Sequence, residues 1–118
     1  MPQVVTKEFL SGSTHGSQVV IVATTTIGTT VHTAIDGTTS FDEIYLYATN
    51  TDSVARNLTV EWGSATDLVL KTFPIPALSA RIPIIRGELL RNTLLVTAFA
   101  SEASKILIGG YVLRTTVS

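Results

Sequence analysis

A chain of 118 residues is long enough for one domain with a single hydrophobic core. It contains no cysteine, which excludes disulfides, zinc–thiolate sites and cysteine nucleophiles. Only 14% of its residues are charged, against about 25% in an average soluble domain, and its net charge is −1. A surface with so little charge tends to associate, so we expect part of it to be buried against other subunits.

The first 17 residues predict an N-terminal arm that is separate from a domain spanning residues 18–118. Residues 4–10 are β-branched and apolar enough to form a strand, and residues 11–17 are rich in Ser and Gly, as a hinge would be. Two interpretations stay open: the arm adds a strand to a neighbouring subunit, or it is the first strand of its own sheet. The first interpretation makes four apolar residues candidate interface residues: Val4, Val5, Phe9 and Leu10.

The middle of the chain has the period-two hydrophobic alternation of half-buried strands. Residues 18–24 and 29–35 predict two strands. Residues 43–49 point Ile44, Leu46 and Ala48 to one side, and residues 56–62 do the same with Leu58, Val60 and Trp62. Because turn-forming residues 50–53 link these two segments, we expect a β-hairpin with Trp62 in the core.

The second half continues with strands at residues 68–73, 80–85, 93–100 and 105–116. Pro83 assigns its strand to an edge or a bulge, since proline donates no ladder hydrogen bond. Residues 87–92 suggest one helical turn or a loop, and Gly109–Gly110 suggests a bulge or bend. About eight short strands at this spacing predict an all-β fold: an antiparallel β-sandwich, jelly-roll-like.

The residue types that carry catalysis or bind metals do not form a recognisable set. His15 and His32 lie outside any metal-ligand spacing, and we expect no metal and no cofactor. Asp42 and Glu43 are adjacent on a strand and face opposite sides, so we interpret them as solvated acids and not as a catalytic dyad. Single, scattered Lys and Arg residues do not favour nucleic-acid binding. The longest apolar runs are too short for a membrane-spanning helix. The sequence therefore predicts a protein that is not an enzyme.

Tyr45 and Tyr47 both lie on the side of their strand opposite Ile44 and Leu46. Two tyrosines on a non-core face favour a binding platform or a subunit contact. The alternative is that this strand is buried on both faces.

Three segments together resemble a known group of proteins. The strand–turn–strand of residues 48–63, residues 75–83 and the tail of residues 95–111 are similar to the small β-sandwich structural proteins of tailed bacteriophage virions. The resemblance covers roughly residues 40–115. It implies a capsid decoration or cement protein, commonly a homotrimer, that binds the major capsid protein or another virion protein. Its location would be the virion, assembled in the host cytoplasm. The alternative is a tail or fibre component that binds a carbohydrate or receptor.

Overall fold

The computed structural model describes residues 3–63 and 69–117. These residues form nine strands and no helix, so the predicted all-β class is confirmed. The strands are β1 (Gln3–Phe9), β2 (Val19–Val20), β3 (Thr29–Thr33), β4 (Phe41–Asn50), β5 (Arg56–Trp62), β6 (Val69–Ile75), β7 (Ile82–Leu90), β8 (Leu95–Ala100) and β9 (Ile106–Val117).

The strands form two antiparallel sheets. The five-stranded sheet has the order β1–β9–β4–β7, and β2 also pairs with β9. The four-stranded sheet has the order β3–β8–β5–β6. If β1 and β2 are counted as one interrupted strand, the pairing is nested: the first strand pairs with the last, β3 with β8, β4 with β7 and β5 with β6. Most contacts therefore join residues that are far apart in the sequence.

The core contains buried residues of both sheets and follows the predicted alternation. In β4, every second side chain is buried, including Ile44 and Leu46. Leu58 and Val60 of β5 face them from the other sheet and are also fully buried. Each such side chain contributes about 1.5–3 kcal/mol by leaving water. Trp62 packs against this cluster but stays partly exposed, so it belongs to the margin of the core.

The predicted hairpin between residues 43–49 and 56–62 is wrong. β4 pairs with β7 and β9, whereas β5 pairs with β6 and β8 in the other sheet. The link between them crosses from one sheet to the other. Asn50 is buried there, and its Nδ2 donates to the carbonyl oxygens of Val54 at 3.0 Å and Ile75 at 3.1 Å. Residues 51–55 do connect the two strands without being part of either. Turn-forming composition alone, however, does not determine which strands pair with each other.

The N-terminal segment is a strand of its own sheet over the described residues 3–9. β1 pairs with β9 in an unbroken register from Gln3 opposite Val117 to Phe9 opposite Tyr111. Residues 1 and 2 of the predicted arm lie outside the described residues. Residues 3–9 are therefore the first strand of their own sheet, which is the second of the two interpretations given above.

Three smaller predictions also changed. Only Val19–Val20 of the expected strand at residues 18–24 is paired. Residues 87–90 continue β7, without a helical turn. Gly109–Gly110 runs straight through β9 without a register shift. A Cβ at Gly110 would lie 2.0 Å from the Tyr45 carbonyl oxygen, so this glycine permits close approach of two strands. Pro83 does lie in an edge strand with register shifts, as predicted.

Candidate interaction surface

The side of the five-stranded sheet that faces away from the core, which we call the outer face, carries aromatic and aliphatic side chains together with Lys7 and Glu43. Its rows follow from the strand register. Phe9, Tyr111 and Tyr45 lie side by side on β1, β9 and β4. The next row contains Lys7, Leu113, Glu43 and Leu89. These side chains are half-buried or exposed, although the opposite sides of the central strands β4 and β9 carry buried residues such as Ile44 and Val112.

An aromatic row crosses the outer face. The rings of Tyr45 and Tyr111 stack with centroids 4.9 Å apart and an interplanar angle of 16°. Two cations lie over tyrosine rings of the outer face: Lys7 Nζ is 4.9 Å from the Tyr111 ring centre, and the Arg81 guanidinium is 4.7 Å from that of Tyr47, outside this row. Stacking and cation–π contacts fix the orientation of these rings before any partner binds. Tyr45 and Tyr47 therefore lie on an accessible face, not inside a doubly covered strand.

The hydroxyl of Tyr45 is tied down by its neighbour on the same face. It donates a hydrogen bond to the Glu43 carboxylate. This bond, then desolvation and the negative charge of Glu43, raise the pKa of Tyr45. Tyr45 thus stays a neutral phenol under physiological conditions, and Glu43 is the acid on this face that accepts from it.

The four candidate residues of the N-terminal segment lie in different environments. Val4, Val5 and Phe9 are 55%, 62% and 66% exposed. Leu10 is 1% exposed and belongs to the core, so it offers no surface to a partner. The period-two pattern ends at Phe9, and the chain turns inward at Leu10, which sequence spacing alone did not reveal.

The turn after Leu10 is anchored to β3. Ser11 N–H donates to His32 Nδ1 at 3.0 Å, and Ser11 Oγ accepts from Thr33 N–H at 2.6 Å. Gly12 N–H donates to the Val31 carbonyl at 2.9 Å, and a Cβ at Gly12 would come within 2.7 Å of that oxygen. The start of the predicted hinge is therefore fixed by hydrogen bonds, which hold the end of β1 against β3 of the second sheet.

His32 belongs to a buried polar cluster. Its Nε2 lies 2.8 Å from Asp42 Oδ2, and Arg114 donates to the same carboxylate through Nε at 2.8 Å and Nη2 at 3.1 Å. Because Nδ1 accepts from Ser11, Nε2 must carry the proton. Burial is the main reason that the pKa of His32 is lowered, against the opposing effect of Asp42. The ring is neutral and holds the Ser11 turn, the start of β4 and the end of β9 together.

Glu61 is the centre of a second buried cluster, in the four-stranded sheet. Its Oε1 accepts from Gly28 N–H at 2.8 Å and Thr97 Oγ1 at 2.6 Å, and its Oε2 accepts from Thr26 Oγ1. The sequence pattern placed Glu61 on the solvent side of its strand. The loop before β3 folds over that side and buries it, and no local signal in the sequence indicates this.

A groove of about 490 Å³ opens at one end of the five-stranded sheet. It lies within the usual size range of small-ligand sites, about 300–1,000 Å³. Its lining combines apolar and polar side chains: Phe41, Leu89 and Leu94 with Thr38, Arg91 and Asn92. Asn92 of this lining is in the left-handed region with φ 66°, as is the next residue in the chain, Thr93, with φ 58°.

Comparison with protein-family models, curated proteins and solved structures found no match. The resemblance to phage virion proteins therefore depends on the sequence patterns given above. Among the described residues, no three His, Asp or Glu side chains converge as a metal site would require. No helix in that part of the chain has the length and apolar character needed to cross a bilayer.

Proposed function

We propose that the protein is a non-enzymatic structural subunit of a phage virion, of the head decoration or cement type, and that its two sheets form a jelly-roll sandwich. The nested strand order supports the jelly-roll assignment, because a long antiparallel hairpin wound into two sheets gives this order. Jelly rolls are common in viral capsid and lectin domains. Fold alone does not define function, so the proposal depends on the surface of the sheet.

The observation that carries the proposal is the outer face. Monomeric proteins rarely expose large contiguous apolar patches, and such patches mark contacts with other proteins. Here Phe9, Tyr111 and Tyr45 form a continuous row, and Leu113 and Leu89 lie in the next row. Aromatic residues of this kind dominate the energetics of protein interfaces. The low charge content of the whole chain agrees with such a role.

The mechanism of a cement protein is adhesive. Several copies contact neighbouring capsomers at once, and the many weak contacts add through multivalency. The partners would be further copies of this chain, with a trimer as the stoichiometry that the resemblance implies, and the major capsid or another virion protein. Nucleic acid and membrane are not part of this proposal. The site of action is the virion, after assembly in the host cytoplasm.

Reconstitution on particles tests the proposal. Purified chain is added to particles that lack it, and occupancy and heat resistance are measured by cryo-electron microscopy and by DNA release. We expect stoichiometric binding by the wild type and strong loss of binding by Phe9→Glu. The matched control is Leu78→Glu, since Leu78 is equally exposed but lies outside the outer face. Absence of the chain from native particles, or equal binding by both variants, would overturn the proposal.

The groove favours a second candidate, a receptor- or carbohydrate-binding module on a tail or fibre. An aromatic ring beside Arg and Asn side chains is suited to a sugar, with Phe41 as the stacking surface. A glycan array probed with the wild type and with Phe41→Ala separates the two candidates. Specific binding that Phe41→Ala abolishes supports the module, and an array without any signal argues against it.

A further inference from the structure

With β1 and β2 counted together, the two sheets have four edges, and three of them carry features that block further pairing. β7 contains Pro83 and two register shifts. β6 contains Pro74 and one register shift. β3 has only five residues and is interrupted by a shift between Thr30 and His32. Proline, bulges and shortness are the usual means by which natural sheets protect their edges.

β1, the fourth edge, has none of these features. Its seven residues contain neither Pro nor Gly, and their register with β9 has no irregularity. Its outward side chains include Val4, Val5 and Phe9, all more than half exposed. In an antiparallel pair, alternate N–H and C=O groups of an edge strand point away from the sheet. A regular edge strand without proline, bulges or shortening can serve as a template for strand addition.

We propose that a second copy of this chain adds to this edge, so that the two β1 strands pair antiparallel about a two-fold axis and the two five-stranded sheets become one. This contact would join copies of the chain in the oligomer of the proposed function. The evidence for it is the difference between β1 and the other edge strands, and it does not depend on a role in the virion. The occupant is a second copy because β1 can pair with itself without placing like charges opposite each other. It carries one Lys and one Glu, adjacent to each other, and is otherwise uncharged.

The register follows from the alternation of side chains. Facing residues must lie on the same side of the joined sheet, so the strands can be centred on Val5, Thr6 or Lys7. Centring on Thr6 pairs all seven residues, with Val5 opposite Lys7 and Val4 opposite Glu8 of the second copy. Centring on Lys7 would place two ammonium groups opposite each other, which is destabilising. The register about Thr6 is therefore the best one.

The pairing also fits the outer face. Residues with odd numbers in β1 lie on that face, so the outer faces of both copies lie on the same side of the joined sheet, with Phe9 opposite Gln3 of the second copy. Lys7 leans back over its own Tyr111, which keeps its ammonium away from that of the second copy. A two-fold contact closes on itself and gives dimers. A trimer would have to use a different surface.

Charge variants of the intact chain test the contact. Sedimentation of the wild type at micromolar concentration should give twice the monomer mass of 12.6 kDa. Val5→Lys places like charges opposite each other and should weaken the dimer at least tenfold. Val5→Glu faces Lys7 of the second copy and should leave the dimer intact. Because Val5 is exposed in the monomer, both variants should keep the wild-type circular dichroism spectrum.

Cross-linking tests the register. The chain has no cysteine, so each variant carries a single thiol. Facing residues bring their Cα atoms to about 4.5–5.5 Å, within disulfide range. Mild oxidation should therefore link Thr6→Cys chains rapidly. Two variants should link at least tenfold more slowly. In Val5→Cys, the thiols of the two copies are two residues out of register. In Ser101→Cys, the thiol is exposed but lies far from β1.

Each outcome decides the proposal. A monomeric wild type, or an oligomer that Val5→Lys leaves unchanged, overturns it, and so does a trimer in which Thr6→Cys fails to link. A dimer that responds to the charge variants and links at Thr6 supports it. The measurements use the isolated chain without particles. Failure of the β1 contact therefore leaves the virion role open, and failure to bind particles leaves the β1 contact open.

Discussion

The two buried carboxylates of the core, Asp42 and Glu61, are held in different ways. Each is fully buried, one in each sheet. Asp42 is neutralised by a cation, because Arg114 binds it through two nitrogens and His32 adds a third hydrogen bond. Glu61 has no cation among its described partners and relies on the Thr97 and Thr26 hydroxyls and one backbone N–H. A buried charge can therefore be stabilised by an opposite charge or by well-directed dipoles.

Both arrangements keep the carboxyl ionised. Burial raises the pKa of Asp42, but the hydrogen bonds from Arg114 and His32 outweigh it, and the pKa is lowered. Burial likewise raises the pKa of Glu61, and its hydrogen bonds, led by Thr26 and Thr97, again lower it. A lowered carboxyl pKa contributes stability above the unfolded value of about 4, which is lost as pH falls through the folded value.

The largest effect is expected when the Asp42 carboxylate, the acceptor for Arg114 and His32, is removed. Asp42→Ala leaves the Arg114 guanidinium, the His32 Nε2–H and the Ile35 N–H without their acceptor. We expect the free energy of unfolding to fall by about 3–5 kcal/mol. Urea titration measures it, with Asp36→Ala, an exposed acid in the adjacent loop, as the control. Equal losses in both variants would show that the cluster contributes nothing special.

A smaller effect is expected when one hydrogen-bond donor to the Glu61 carboxylate is removed. Thr97→Val keeps the shape of the side chain but deprives the Glu61 carboxylate of its 2.6 Å hydrogen bond. The expected loss is about 1.5–3 kcal/mol, the range for hydrogen bonds to charged groups. Thr59→Val is the matched control on the neighbouring strand, where the hydroxyl forms a hydrogen bond of 3.1 Å with the neutral hydroxyl of Thr72. That variant should lose about 1 kcal/mol. If it loses more than Thr97→Val, the carboxylate does not depend on its directed donors.

The smallest effect is a pH dependence of stability, which we expect from the Asp42 cluster through His32 and not from the hydroxyl donors of the Glu61 cluster. The pKa of His32 is lowered in the folded chain. As pH falls below about 6.5, His32 therefore binds a proton in the unfolded chain but not in the folded one. Stability is therefore lost as pH falls through the unfolded value and levels off below the folded one. Urea midpoints of the wild type should decrease between pH 7.5 and 5.5, by the equivalent of about 1 kcal/mol. In His32→Gln this slope should be smaller, whereas in Thr97→Val it should remain. A slope that survives in His32→Gln would assign it to another group.

The candidate surface was only partly predictable from the sequence. Tyr45 and Tyr47 were placed on the non-core face because alternation within one strand is a local property. Tyr111 was missed because its position beside Tyr45 depends on pairing between strands that are more than 60 residues apart. Leu10 was assigned to the surface, but the anchored turn that follows carries it into the core.

The sequence by itself determined the all-β class, most strand positions and the direction in which Ile44, Leu46, Leu58 and Val60 point. These properties follow from the two-residue period of an extended chain. Tertiary structure alone decided that β4 and β5 separate into different sheets, since the choice of neighbour depends on strands elsewhere in the chain. It also decided that Asp42 and Glu61, which the pattern assigned to solvent, are buried. Their hydrogen-bond donors come from distant segments, and only the folded chain brings those donors within reach.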